Sequence, residues 1–439
     1  MLTRFYVKNL FGIFDNEINF RDGGITIIVG RNGCGKTTML NMLSTIFSQN
    51  HSRLLQYEFE YIEVEISGHT LRIEPDDVCF NDEDETIKSL RYYLDSVALD
   101  KCFREDSKIN SPSFWMRYVP SLRRRTSNMF VDMRTGNTLT LSEVIDTFFD
   151  TLPDQIKDEI AGIPNEVYEL IKKMNIILIS TDRLKKTPVD DDYRRLEKVE
   201  RFAVEDCSEE LKNTLKNSLS EYANISQKLD EQFPSKILKS IKNVTPITIA
   251  ELEENIQLID FLRKKHIDAG VLEANSDKVL SVDLNSDNLD NTTSAILTMY
   301  YQDMKTKLES LDSISDKIVL FKNMLKSKFG DNKELFVNKE QGIEILQAHK
   351  EDKIELKYLS SGEQQELVLL YNLIFKGEKE SLILIDEPEI SLNVSWQREY
   401  LNDMKKIVAM NQFSILIATH SPQIINDNWE LVESLGELN

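Results

Sequence analysis

The period of apolar positions changes along this chain, and each change predicts an element. Ile25–Val29 (ITIIV) is an unbroken apolar run, the pattern of a central strand buried on both faces. Phe5-Tyr6-Val7 and Ile18-Asn19-Phe20 are shorter strand-like runs before it. From Gly35 to Phe47, the residues Met39, Leu40, Met42, Leu43, Ile46 and Phe47 recur at helical spacing and form one broad stripe. Residues 58–74 alternate apolar and polar, which predicts a hairpin turning at Gly68. Residues 80–170 are mixed and polar, with a second hairpin expected around Arg134-Thr135-Gly136-Asn137 and a helix from Ser142 to Phe149. Met174–Ser180 (MNIILIS) reads as another buried strand.

From about 190 to 328 glycine almost disappears, and Glu, Lys, Leu, Asn and Ser dominate. Helices are expected near 206–231, 248–268 and 291–328, the first two separated by Pro234 and Pro246. The linker 275–291 is polar and expected to be exposed. The heptads are irregular, so a short helical arm is expected rather than a long coiled coil. Strands return at 335–337, 343–345 and 354–356. A helix over 362–375, a strand over 382–385, a helix over 394–409 and a strand over 415–418 follow. No internal repeat is apparent.

Composition narrows the class. A chain of 439 residues can bury one large core and an accessory module. The net charge of −21 argues against tight nonspecific binding to nucleic-acid phosphates. Arg123-Arg124-Arg125 and Arg263-Lys264-Lys265 are the main basic clusters, and such runs are usually solvated surface. The cysteines Cys34, Cys79, Cys102 and Cys207 lack C-x-x-C spacing, so no zinc knuckle or hook is expected, and their scarcity fits a reducing cytoplasm. The N-terminal stretch MLTRFYVKNLFG lacks the apolar run of a signal peptide, and no segment suits a bilayer span, so no membrane contact is expected.

The chemistry lies near the two ends. Gly30-Arg31-Asn32-Gly33-Cys34-Gly35-Lys36-Thr37 fits G-x-x-x-x-G-K-[ST], between an apolar strand and a helix. Such a loop wraps backbone N–H groups around phosphates, and the helix N-terminus favours anions. Lys36 adds a positive charge, the Thr37 hydroxyl can ligate Mg²⁺, and Asn32 and Thr38 lie within reach of phosphate. Cys34 reads as a space-filling residue rather than a redox switch. Ser381-Leu382-Ile383-Leu384-Ile385-Asp386-Glu387-Pro388 is an apolar strand ending in two acids. Asp386 is expected to hold Mg²⁺ and Glu387 to face the attacking water. Leu359-Ser360-Ser361-Gly362-Glu363-Gln364 precedes a helix, where Ser360 or Ser361 would also suit a plain N-cap. His420 closes a late strand and is followed by Ser421-Pro422.

The order of phosphate loop, L-S-S-G-E-Q segment, acidic strand and late histidine resembles the ABC ATPases. The D-E-P-E-x-S-L-N stretch (Asp386 to Asn393) and the A-T-H-S-P ending (Ala418 to Pro422) look like their RecF/SMC/OLD branch. The resemblance covers roughly 1–75 and 335–425. It implies an α/β fold: a P-loop ATPase head with a mixed, mainly parallel sheet and an inserted α-helical arm. The domains it suggests are a head lobe over 1–75, a mixed insertion over 76–189, the arm over 190–330 and a second lobe over 331–439.

The resemblance further implies that Ser360, Ser361, Gly362 and Glu363 of one subunit meet ATP held by Lys36 of another, in a dimer or larger homo-oligomer. It implies that His420 senses the γ-phosphate. Asn393 stands where many relatives carry His or Asp, which puts communication between subunits in question. Gln56 is the choice for a glutamine completing the Mg²⁺ shell, and Arg183 is either a phosphate or interface contact or a surface ion pair. A lone head with a modest arm, ending 19 residues after His420 with no fused nuclease, resembles the ATPase subunits of PARIS-type and Septu-type anti-phage systems. That likeness implies a separate nuclease or toxin subunit and a phage-encoded protein trigger. The alternative expectation is a RecF/SMC-like repair ATPase that clamps DNA.

Overall fold

In a computed structural model the chain divides into two compact units, residues 1–200 with 376–439, and residues 201–375. The structure describes residues 2–48, 51–79, 86–99, 103–104, 111–125, 129–133, 138–148, 151–153, 156, 163–180, 202–240, 248–273, 291–348 and 352–438. The turn at 134–137, most of the linker 275–291, Cys102 and Arg183 lie outside the described residues.

The first unit opens with β1 (Leu2–Leu10), β2 (Phe14–Asn19) and β3 (Ile25–Val29), then the helix Lys36–Phe47. The predicted hairpin follows as β4 (Tyr61–Ile66) and β5 (His69–Cys79), with Ser67-Gly68 at the turn, and then β6 (Thr86–Leu94), β7 (Val97–Ala98) and β8 (Phe103–Arg104). Strands β9 (Leu122–Arg124), β10 (Met129–Asp132) and β11 (Thr138–Thr140) form a small antiparallel sheet. β10 and β11 are the arms of the second predicted hairpin, and the helix Leu141–Phe148 comes next. β12 (Ile176–Ile179) is the strand expected from MNIILIS.

The second unit carries the helices Ala203–Ser240, Ile249–Ala269, Asn291–Glu309 and Asp312–Phe329. Two expectations need correction. Pro234 does not end the first helix but sits inside it, on an exposed face where water can satisfy the carbonyl freed at Asp230. The span 291–328 is two helices rather than one. The Ser310 hydroxyl donates to the Lys307 carbonyl at 2.6 Å in the turn, and the fully buried Leu311 leads into the next helix. A meander of β13 (Lys333–Asn338), β14 (Gly342–Gln347) and the two-residue β15 (Lys353–Ile354) leads to the helix Ser361–Tyr371. The signature segment thus belongs to this second unit, whereas the sequence reading grouped it with the C-terminal lobe.

The chain returns to the first unit as β16 (Leu382–Asp386), the helix Val394–Asn411, β17 (Ser414–Ala418), β18 (Val432–Ser434) and β19 (Glu437–Leu438). Two sheets organise that unit. An antiparallel one contains the order β19-β2-β1-β4-β5-β6-β7, with β8 also on β6. The other is parallel throughout, in the order β12-β16-β17-β3-β18. Every residue of β16 is buried, as the apolar run requires of an inner parallel strand. Met39, Leu40, Met42, Leu43 and Ile46 of the first helix are also buried, and its stripe packs on β12, β16 and β17. No helix among the described residues is long and apolar enough to cross a membrane.

Candidate functional site

Parallel pairing brings the C-terminal ends of three strands side by side. β17 lies between β16 and β3, with Asp386 opposite Ala418 and Ala418 opposite Ile28. The residues just past those ends are Glu387, His420 and Gly30, so chain segments far apart in sequence converge at one sheet edge.

The loop 30–35 takes its shape from its glycines. A side chain at Gly30 would strike Cys34 Sγ at 2.5 Å and the Leu435 carbonyl at 2.8 Å. Gly33 has φ +82 with open space beside it, and Gly35 has φ +96. Arg31, Asn32, Gly33 and Thr37 are exposed, Thr38 is half-buried, and Cys34 is a buried free thiol. The buried Lys36 folds back over its own loop, its Nζ donating to the Gly30 carbonyl at 3.0 Å and the Arg31 carbonyl at 3.3 Å. Thr37 Oγ1 lies 3.2 and 3.0 Å from the two Asp386 carboxylate oxygens, joining residues 349 positions apart.

Glu387 has φ +42 and ψ 59, a left-handed conformation uncommon for a non-glycine residue and one that persists only where its surroundings impose it. Its N–H donates to the Ala418 carbonyl at 2.9 Å. Its carboxylate Oε1 stands 3.9 Å from His420 Nε2, and both side chains are about one-third exposed.

In the second unit Ser360 caps its helix. Its hydroxyl accepts the Glu363 N–H at 3.4 Å, and the Ser360 N–H donates to Glu363 Oε2 at 2.9 Å. Lys333 Nζ holds Glu363 at 2.6 and 2.8 Å. Burial pushes the Glu363 carboxyl up, but Lys333 and the Ser360 donors outweigh it and leave it below the usual carboxylate range. Ser360 and Ser361 are exposed, Gly362 is half-buried, and Gln364 is buried with its amide on the Lys357 and Leu359 carbonyls.

The exposed Gln56 ends a 3-10 turn, His51–Gln56, at a cleft also lined by Leu54, Glu58 and Lys88. His51 anchors that turn: its Nε2 is 2.7 Å from the Ile46 carbonyl and its Nδ1 is 2.7 Å from the Tyr92 hydroxyl. Asn393 caps the helix Val394–Asn411, its Oδ1 accepting the Trp396 N–H at 2.9 Å.

Sequence reasoning missed three contributors. Fully buried Asn16 donates to the Cys34 carbonyl and accepts the Gly436 N–H, both at 2.9 Å, and so ties the loop 30–35 to β2 and the C-terminal segment. Glu389 and Gln397 brace the His420 turn. Glu389 stands in the D-E-P-E stretch, which flags the segment but gives that residue no role.

The AAA ATPase domain family matches residues 1–425. The chain belongs to that family. It is therefore an ATPase. Over 102 residues, 22% of the chain, this AAA-domain ATPase is 32% identical to the phospholipid-transporting ATPase ABCA3 of Rattus norvegicus. The Mus musculus protein is 31% identical over the same length. The matched stretch spans 6% of those much longer proteins. Among solved structures, the SMC head domain from Thermotoga maritima aligns over 100% of this chain and 95% of its own, at 12% identity and TM-score 0.31. The Smc head domain with an extended coiled coil bound to the C-terminal domain of ScpA, from Pyrococcus furiosus, aligns over 97% and 90%, at 14% identity and TM-score 0.32. The fold assignment rests on the parallel sheet and the family match rather than on these distant overlays.

Proposed function

We propose that the first unit holds Mg·ATP at the junction of β3, β16 and β17, and that a second copy of the chain completes the site. The observation that carries this reading is the Thr37 hydroxyl on the Asp386 carboxylate, one sheet position away from the Glu387–His420 pair. Loop N–H groups and Lys36 bind the β- and γ-phosphates, and Lys36 exchanges its carbonyl partners for phosphate oxygens. Thr37 and Asp386 supply hard oxygen donors that would hold Mg²⁺, and Gln56 is the further ligand proposed. Among the described residues no group of three or more His, Cys, Asp and Glu side chains forms an independent metal site. When bound, Mg²⁺ neutralises charge on the phosphates. Glu387 orients and deprotonates the attacking water, and His420 contacts the γ-phosphate. Ser360, Ser361 and Gly362 of the second copy, at the start of a capped helix, clamp the same phosphate.

The ATP cycle then regulates a separate nuclease or toxin subunit in anti-phage defence, triggered by a phage protein. Support for that role is the net charge of −21, which suits protein partners better than a permanent DNA clamp. ATPase activity stimulated by DNA with steep salt dependence would favour the clamp instead. The direct test of the site is a pair of variants. Lys36→Ala should lose nucleotide binding, whereas Glu387→Gln should bind ATP and lose turnover. Undiminished turnover in Glu387→Gln removes that residue from the role of base.

A further inference from the structure

The turn that carries His420 is braced twice against the segment that follows the acidic pair. Glu389 Oε1 accepts the His420 backbone N–H at 2.6 Å. Ser421 Oγ donates to Gln397 Oε1 at 2.6 Å, and Gln397 Nε2 donates to the Leu392 carbonyl at 2.9 Å. Glu387 is itself pinned to β17 through the Ala418 carbonyl. Backbone anchors on both sides thus hold the main chain from which His420 Nε2 and Glu387 Oε1 approach to 3.9 Å.

Glu389 is a costly choice for this brace. One N–H needs one acceptor, yet the second oxygen, Oε2, is buried and has no hydrogen-bond partner. What the carboxylate provides over a neutral acceptor is a short, charge-assisted bond to a single backbone N–H. We propose that Glu389 is a positioning residue for ATP hydrolysis: it holds the His420 backbone so that the imidazole faces Glu387 across the γ-phosphate position. This rests on the role given to His420 above. Glu389 touches neither nucleotide nor metal in this scheme and acts through His420 alone.

A double-mutant cycle on the full chain tests it, reading kcat and KM for ATP in Glu389→Ala, His420→Ala and the double variant. Glu389→Ala should lower kcat about tenfold or more with KM within about twofold, as expected of a misplaced catalytic group. The double variant should be no slower than His420→Ala, within about twofold. Glu389→Gln keeps one acceptor oxygen and should stay within about threefold of the parent kcat. Should Glu389→Ala fail to fold, Glu389→Met fills a similar volume without an acceptor and takes its place. Unchanged kcat in the acceptor-free variant, or losses that multiply in the double variant, overturn the proposal. If His420→Ala alone leaves kcat unchanged, the role of His420 falls, and this inference falls with it.

Discussion

Asn16→Ala isolates the anchor of the loop 30–35. The Asn16 amide is fully buried and serves two backbone groups, the Cys34 carbonyl and the Gly436 N–H, each at 2.9 Å. Alanine leaves both without that partner, the Cys34 carbonyl in a buried setting and the Gly436 N–H in a half-buried one. At about 1–3 kcal/mol for a stranded buried group, the Cys34 carbonyl sets a loss of about 1–3 kcal/mol of stability. The three tryptophans, Trp115, Trp396 and Trp429, all fall in the first unit, so intrinsic fluorescence during urea unfolding reports on that unit. The midpoint should fall accordingly, and the KM for ATP should rise, because the freed carbonyl belongs to the loop itself. Asn16→Asp should not rescue, since a carboxylate can accept from Gly436 but cannot donate to Cys34. A loss below about 1 kcal/mol with unchanged KM would refute the reasoning.

Other outcomes follow from single residues. Burial holds the His51 imidazole down to about 4 from its usual 6.5, against the opposing pull of the Ile46 carbonyl. The folded chain then binds fewer protons than the unfolded one between those values. The contribution of His51 is full above about 6.5 and falls by about 3 kcal/mol as pH drops toward 4. His51→Gln should flatten that part of the urea-midpoint profile against pH, and an unchanged slope would contradict it. Asn393→Ala should cost about 1 kcal/mol by fluorescence-detected unfolding while Asn393→Asp keeps the cap; equal losses would show that the cap is not the cause. Gly270 has φ +87, and a Cβ there would enter the Val337 carbonyl. Gly270→Ala should therefore lower the melting temperature followed by circular dichroism, with at least about 1–3 kcal/mol from the backbone alone; no change would mean that this turn relaxes freely.

The placement of the candidate residues at strand ends was legible because their motifs are contiguous and follow apolar runs. The ITIIV and LILID stretches read as apolar strands and are inner strands of the parallel sheet, and the loop or acids that follow each one inherit their place from it. What local pattern could not carry was pairing between distant residues. Asn16 meets Gly436 across 420 positions, and nothing in the local spacing of Asn16 distinguishes it from a surface asparagine. Glu389 sits beside Glu387 in a run of acids, and only the approach of β17 shows that it faces a backbone N–H. Pro234 misled for the opposite reason. It is a strong local signal overridden by a 38-residue helix whose freed carbonyl faces water.

The central claim is that nucleotide joins two copies of this chain at one shared pocket. Sedimentation of Glu387→Gln with and without Mg·ATP measures this most directly. Nucleotide should shift the species from the 50.9 kDa chain mass to twice that value or a multiple of it, and substituting Ser361 by Arg should abolish the shift while leaving ATP binding intact. A protein that saturates with ATP yet sediments as a single chain would contradict the claim.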